Sequence, residues 1–562
     1  MARVARLLSD DTMGASGAES LKPSTTAFTS CALLCCGYIA TSAFAADQVK
    51  IGNGIIASTA APKDGVRSFK GIPFAKAPVG NLRWREPQPV ENWAGVRNAD
   101  QFGQRCMQVT NANSDYWFRS NAMSEDCLYL NVWTPAKSDK EKLPVLVYIY
   151  GGGFSNGDGS EPRYDGENMA RKGMVAVTLN YRLNVFGFFA HPELSKESAH
   201  HASGNYGLMD QAAALRWVKQ NIGAFGGDPK RVTIAGESAG SISVSALMAS
   251  PLSENLIAGA IGESGALIST LPPRTLADSE KDGVRFAELS GAASLAALRE
   301  MSAEKIQEMR SKVGGTGPGA GGIRFWPNID GYFLPKPLPE IFEAGRQAKV
   351  PLLAGSNSME QGARSILGAS EPTAENFAAA VRKLYGENAG EVLKVYNGST
   401  PDEIMQAAMA LASARFISLG TWKWTELQMK TGGKPVYRYL YTRVRPKYLG
   451  MPGQPAPSSS QPSPTPLGAA HSAEIQYAMG NLNLDKRYTW EPEDYKVSEM
   501  MQGYFVNFIK SGNPNGPGLP EWPSYDPKTN YTRLRIDVAA KAEPEPDRPR
   551  YQVLDAIFAK QQ

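Results

Sequence analysis

A serine between two glycines, Gly236-Glu237-Ser238-Ala239-Gly240, follows directly on the apolar run Val232-Thr233-Ile234-Ala235. A strand that feeds straight into a helix turns so sharply that side chains flanking the turn collide, and glycine at 236 and 240 relieves the collision. The serine hydroxyl then projects over the end of a sheet. Such a pattern also arises by chance, so its weight depends on what surrounds it.

The surroundings read as alternating strands and helices. Residues 143–150 form a nearly continuous apolar run, as a strand buried on both faces should, and 174–179 read the same way. Between them and Ser238, residues 207–222 carry leucine, alanine and tryptophan at helical spacing, which predicts the crossover helix of a βαβ unit. Two more strands are expected at 350–355 and 436–441, and the helix-rich segments 374–396 and 402–430 suit a cap. The expectation is an α/β fold with a large, mostly parallel central sheet, flanking helices, and a helical cap and long loops over a gorge. Residues 314–322 lack the Gly-Lys-Ser/Thr ending of a phosphate loop and read as a plain loop; the proline- and serine-rich stretch 452–466 runs directly into Gly468-Ala469-Ala470-His471.

With 42% hydrophobic and 20% charged residues, the 562-residue chain has the balance of a globular protein with a sizeable core. The net charge of +4 is thinly spread and no basic block is interleaved with aromatics, which excludes nucleic acid as a partner on electrostatic grounds. The apolar stretch 27–45 ends in Ser42-Ala43-Phe44-Ala45, with small residues where a signal peptidase cuts. Residues 1–45 are therefore expected to be a signal peptide, with Met13 as an alternative start, and 46–562 a single exported domain, periplasmic or secreted. A membrane-spanning helix is the alternative for the same stretch; after signal removal no stable membrane insertion is expected. Three of five cysteines, Cys31, Cys35 and Cys36, fall in that segment, leaving Cys106 and Cys127. Two cysteines close in sequence suit one disulfide in an oxidising compartment, or a pair of buried thiols. No histidine lies near them, so no metal site is expected.

A serine hydroxyl needs a base to act as a nucleophile, normally a histidine oriented by a carboxylate. Of the four histidines, His191, His200 and His201 precede Ser238, whereas hydrolases built on a strand-elbow-helix unit order the groups serine, acid, histidine. His471 is left. The acid belongs on a loop after a strand between the two; Glu360 fits, and Asp330 and Asp402 compete. Gly151-Gly152-Gly153 follows the strand ending at Tyr150, so the amides of Gly152 and Gly153, with that of Ala239, are in position to donate to an oxyanion. The same triple glycine also reads as a flexible turn.

These motifs together resemble the type-B carboxylesterase/cholinesterase family of α/β hydrolases. The residues that carry the resemblance include Phe69-Lys70-Gly71-Ile72-Pro73-Phe74-Ala75, Glu125-Asp126-Cys127-Leu128-Tyr129-Leu130-Asn131-Val132, Tyr150-Gly151-Gly152-Gly153-Phe154 and Phe225-Gly226-Gly227-Asp228-Pro229. It continues through the Ser238 motif, Gly355-Ser356-Asn357-Ser358-Met359-Glu360, His471-Ser472-Ala473-Glu474-Ile475 and Gly512-Asn513-Pro514-Asn515-Gly516, covering residues 50–530. The resemblance implies Ser238 as nucleophile, Glu360 as acid, His471 as base, and Gly152, Gly153 and Ala239 as oxyanion donors. It also implies a Cys106–Cys127 bridge near the gorge mouth and an Arg83–Glu125 ion pair. Met359 and Gln361 depart from the acidic residue and glycine usual beside the family's glutamate.

Three residues are candidates for the gorge lining: Glu237, Trp117 and Arg364. Trp117 stands ten residues before Cys127, the spacing at which cholinesterases carry a choline-binding tryptophan, although packing is the plainer reading. Arg364, just beyond Glu360, would favour an ester that bears a carboxylate. The expected activity is hydrolysis of small-molecule carboxylic esters through an acyl-enzyme, without a cofactor. Alternatives are an amide, lactone or thioester cleaved by the same groups, or a non-catalytic adhesion member of the fold. The sequence leaves the ester itself and the oligomeric state open.

Overall fold

The computed structural model describes residues 47–109, 117–268, 272–313, 322–450 and 466–560. The expected signal segment and most of the low-complexity stretches 314–322 and 452–466 lie outside the described residues.

Ten strands form the main sheet: β1 (Arg67–Pro73), β2 (Tyr129–Thr134), β3 (Leu143–Ile149), β4 (Val175–Leu179), β5 (Gly227–Glu237), β6 (Gly259–Glu263), β7 (Leu352–Asn357), β8 (Val436–Tyr441), β9 (Thr532–Ile536) and β10 (Lys541–Pro544). Across the sheet they run β10-β9-β8-β7-β6-β5-β3-β4-β2-β1. From β4 to β9 every neighbouring pair is parallel, and antiparallel strands close both edges. The central strands are covered on both faces, which explains their unbroken apolar runs: Val145 to Ile149 and Leu352 to Asn357 are buried throughout. The edge strands, with short or mixed sequences, carry no such signal.

The crossover helix α1 (Tyr206–Asn221) begins and ends within a residue of its expected limits. Helix α2 (Ala239–Ala249) leaves the end of β5 and is buried along its whole length. The cap segments become α3 (Ala374–Tyr385), α4 (Pro401–Ser413) and α5 (Leu419–Thr431), with a π-helical stretch Ala414–Ser418 joining the last two. A full capping box fixes the start of α4: the Thr400 hydroxyl accepts from the Glu403 amide, while the Glu403 carboxylate returns to the Thr400 amide. Among the described residues no helix is long and apolar enough to cross a membrane.

Candidate active site

The turn from β5 into α2 holds Ser238 at φ 55° and ψ −120°, a backbone conformation that costs a non-glycine residue about 1–3 kcal/mol. Its neighbours enforce it. A Cβ on Gly240 would sit 2.0 Å from the carbonyl oxygen of Ile149 on the adjacent strand, and one on Gly236 would sit 2.6 Å from the same atom. Only glycine lets the two strand ends approach closely enough to lift the serine clear.

His471 arrives from the loop that follows the long segment after β8. Its Nε2 lies 2.9 Å from the Ser238 Oγ, and its Nδ1 lies 2.6 Å from the Glu360 Oε2. With Nδ1–H donating to the carboxylate, Nε2 is free to accept the serine proton. Glu360 follows β7 and its other oxygen accepts from the Asn357 amide at 2.5 Å and the Ser264 hydroxyl at 2.7 Å. The two loops are tied together: Met359 donates to the Ala469 carbonyl, Ala469 to the Ser358 hydroxyl, and the Asn357 side chain to the Ala470 carbonyl. Arg445 holds the next turn, donating to the carbonyls of Ser472 and Ala473. Phe416, in the π-helical stretch, sets its ring against His471 at 5.1 Å.

Of the competing acids, Asp330 accepts from the amides of Tyr332 and Leu334 within its own turn, and Asp402 lies in the first turn of α4. The remaining histidines are also elsewhere: His191 caps a short helix and His200 stacks on Tyr332. The structure thus brings Ser238, Glu360 and His471 together from three distant stretches of chain.

Glu237 is buried, with one oxygen 3.2 Å from His471 Nε2. A side chain at Gly151 would come within 2.5 Å of the Glu237 carbonyl and 3.0 Å of the Ser238 Cβ, so the glycine run passes directly beside Ser238. Ala239 is the first residue of α2, where amides have no partner within the helix. Burial opposes a charge on His471, but Glu237 and Glu360 outweigh it and raise its pKa above the ordinary 6.5.

The loop between β1 and β2 carries the Cys106–Cys127 disulfide, with Cα atoms 5.0 Å apart. Arg83 and Glu125 form a bidentate pair beside it, Arg83 Nε to Glu125 Oε1 at 2.6 Å, and the same guanidinium donates to the carbonyls of Leu298, Arg299 and Met301. Trp117 is half-buried; among the described residues no hydrogen bond or ring contact links it to the three grouped side chains. Among the described residues no hydrogen bond or ion pair links Arg364 to the three grouped side chains. It is exposed, opens a four-residue helix, and donates to the carbonyls of Gly368 and Ser370 at and beyond the end of that helix. Ser264, Asn357 and Glu474, given no role by the sequence reading, join the cluster; Asn357 and Glu474 stood in quoted motifs, Ser264 in none. Among the described residues no three His, Cys, Asp or Glu side chains are grouped to hold a metal ion.

A mostly parallel sheet with a serine on the elbow after its central strand defines an α/β hydrolase. The carboxylesterase family model matches residues 46–553, and the chain belongs to that family. It is 35% identical over 476 residues to a fumonisin B1 esterase of Sphingopyxis macrogoltabida, covering 82% of each chain, and 34% identical to a human cocaine esterase, covering 84% of each. Among solved structures it resembles a carboxylesterase of Geobacillus stearothermophilus, with TM-score 0.74 and 31% identity over 90% of this chain and 99% of that one. The protein is a serine hydrolase of carboxylic esters.

Proposed function

We propose that Ser238 is the nucleophile, His471 the general base and then acid, and Glu360 the carboxylate that orients the imidazole. What supports this is the single line of contacts Ser238 Oγ to His471 Nε2 at 2.9 Å and His471 Nδ1 to Glu360 Oε2 at 2.6 Å. Ser238 attacks the ester carbonyl as its proton passes to Nε2. The imidazolium returns that proton to the departing alcohol, and water repeats the sequence on the acyl-enzyme. The amides of Gly152, Gly153 and Ala239 receive the oxyanion, each donor contributing on the order of 10² to 10³ in rate.

Relatives of similar identity are named for different esters, among them fumonisin B1, cocaine and pyrethroids. The reading therefore fixes the bond cleaved rather than the groups on either side. Export, with residues 1–45 removed and 46–562 forming one domain, completes it, and the disulfide favours an oxidising compartment. Labelling with a fluorophosphonate followed by peptide mapping tests the assignment: the label belongs on Ser238, and a label elsewhere removes it.

A further inference from the structure

Behind His471 the sheet buries four glutamates in one polar cluster: Glu237 at the end of β5, Glu263 at the end of β6, Glu360 after β7, and Glu474 three residues beyond the histidine. Their hydrogen bonds can be followed atom by atom. The Ser264 Oγ lies 2.7 Å from Glu360 Oε1 and 3.3 Å from Glu474 Oε1. The Asn357 amide nitrogen donates to Glu360 at 2.5 Å, while its side-chain nitrogen donates to Glu474 Oε2, also at 2.5 Å. A hydroxyl has one hydrogen. Glu360 receives three donors, from Asn357, Ser264 and His471, and is an acceptor throughout. The Ser264 hydrogen is therefore spent on Glu360, and Glu474 Oε1 faces the hydroxyl's lone pairs.

Two carboxylates cannot both accept from one hydroxyl hydrogen. From this geometry we infer that Glu474 carries its carboxyl proton while the enzyme works, and donates it along the chain Glu474 to Ser264 to Glu360, as a neutral positioning residue for the triad. This rests on Ser238, His471 and Glu360 acting as proposed above.

Independent features agree. Ser264 is held at φ 57° and Ser472 at φ 63°, so the backbone is strained on both sides of this chain, as it is at Ser238. The Ser264 amide donates to the Gly355 carbonyl, which fixes the hydroxyl between the two acids. Arg445 spends its guanidinium on the carbonyls of Ser472 and Ala473 and on Gln476 and Tyr488, and makes no ion pair with the cluster. Facing Glu474 from the surrounding elements are Glu237, Glu263, Glu360, His471, Tyr439 and Tyr441, with Arg445 further out. A buried carboxylate among so many acidic groups has little to sustain its charge. Glu263 is in the same position: one oxygen accepts from Tyr148 at 2.9 Å, and the other has no partner among the described residues. Burial first, and then the charges of Glu237 and Glu360, push Glu474 up to about 8.

The consequence is a second titration beside that of His471. When Glu474 ionises, its charge adds to those that raise His471, and its hydrogen bond to Ser264 is lost.

The test uses the full chain and p-nitrophenyl acetate, with active sites counted by fluorophosphonate. Because glutamine keeps the shape and supplies an N–H donor, Glu474→Gln should retain kcat near neutral pH within about twofold. It should leave the acid limb of kcat/KM in place and remove the inflection near pH 8. Ser264→Ala should lower kcat by about tenfold with KM unchanged, since one hydrogen bond to a charged group is lost. If Glu474 works as an anion, Glu474→Gln instead lowers kcat about tenfold or more and shifts the acid limb down by about one unit, and the inference falls. Infrared spectroscopy of the unaltered enzyme at pH 7 gives a second readout that does not depend on how the variant folds. A protonated-carboxyl stretch that disappears at pH 9.5 and is diminished in Glu474→Gln supports the inference; its absence at pH 7, or its full persistence in the variant, overturns it. Failure of the fluorophosphonate to label Ser238 would count against the triad instead.

Discussion

Two buried acidic clusters sit in this sheet, one behind His471 and one at the far edge around β8 to β10, and they are built on opposite rules. At the edge each carboxylate meets an arginine. Arg438 Nε donates to Glu545 at 2.7 Å, Arg533 to Asp547 at 2.8 Å, and Arg548 to Glu426 at 3.1 Å, while the Tyr525 hydroxyl lies 2.8 Å from Glu545. Although burial opposes it, Arg533 and Arg550 hold Asp547 below the ordinary carboxylate range. Behind His471 four glutamates share one imidazole and a few neutral donors, and burial raises Glu237, Glu263 and Glu474. Paired charges fix a structure; unpaired acids are left to hold protons. The first arrangement locks the sheet edge, and the second sets the basicity of a histidine.

The largest effect expected separates chemistry from stability. Ser238→Ala should lose about 10⁴-fold or more in kcat on p-nitrophenyl acetate while its melting temperature stays close to that of the parent, since alanine keeps the same Cβ and the same backbone conformation. A substantial residual rate per active site would break the assignment. Next, the two clusters should respond differently to the same chemical change. Glu545→Gln strands the charge of the buried Arg438 and should cost about 3–5 kcal/mol in urea unfolding, whereas Glu474→Gln should cost less than about 1 kcal/mol at pH 7. Equal costs would erase the distinction. The Cys106–Cys127 loop is an intermediate case: replacing both cysteines with serine should remove about 3 kcal/mol of stability, mainly by freeing the unfolded chain.

The smallest effects are those of pH. His471 must be neutral to accept the serine proton and its pKa is raised, so kcat/KM should fall on acidification with a midpoint above 6.5. A midpoint at or below that value would mean that the neighbouring acids are neutral as well. For stability the sign follows from Glu474, whose folded pKa of about 8 lies above its ordinary 4.5. Its contribution is complete below pH 4.5 and lost as pH rises toward 8, so the melting temperature of Glu474→Gln should gain on the parent between pH 5 and pH 9.

Much of this was legible in the chain. The central strands announce themselves because burial on both faces demands unbroken apolar runs; β8 spans Val436–Tyr441, the residues the pattern marked. The elbow is legible because close backbone approach demands glycine at fixed positions. The antiparallel edge strands are not, since partly exposed strands need no distinctive composition. The roles of Ser264 and Asn357 were not legible for another reason, although Asn357 stood in a quoted motif: they come from contacts 96 and 117 residues away, and neither side chain is unusual in its local sequence. The contacts of Arg364 were not legible either, because proximity in sequence to Glu360 says nothing about which carbonyls a side chain meets at a helix start.

The distance along the chain between Ser238 and His471 has a consequence for biosynthesis. The histidine is translated 233 residues after the serine, and the acid between them needs Ser264 and Asn357 to be in place. A ribosome-bound or truncated chain that stops before residue 471 therefore carries an exposed elbow but no base. On the proposed assignment, esterase activity requires β5 to β8 to be joined to the loop beyond them. On that assignment turnover reports that the three groups have been brought together, and a growing chain lacks the base until residue 471 of 562 has been made.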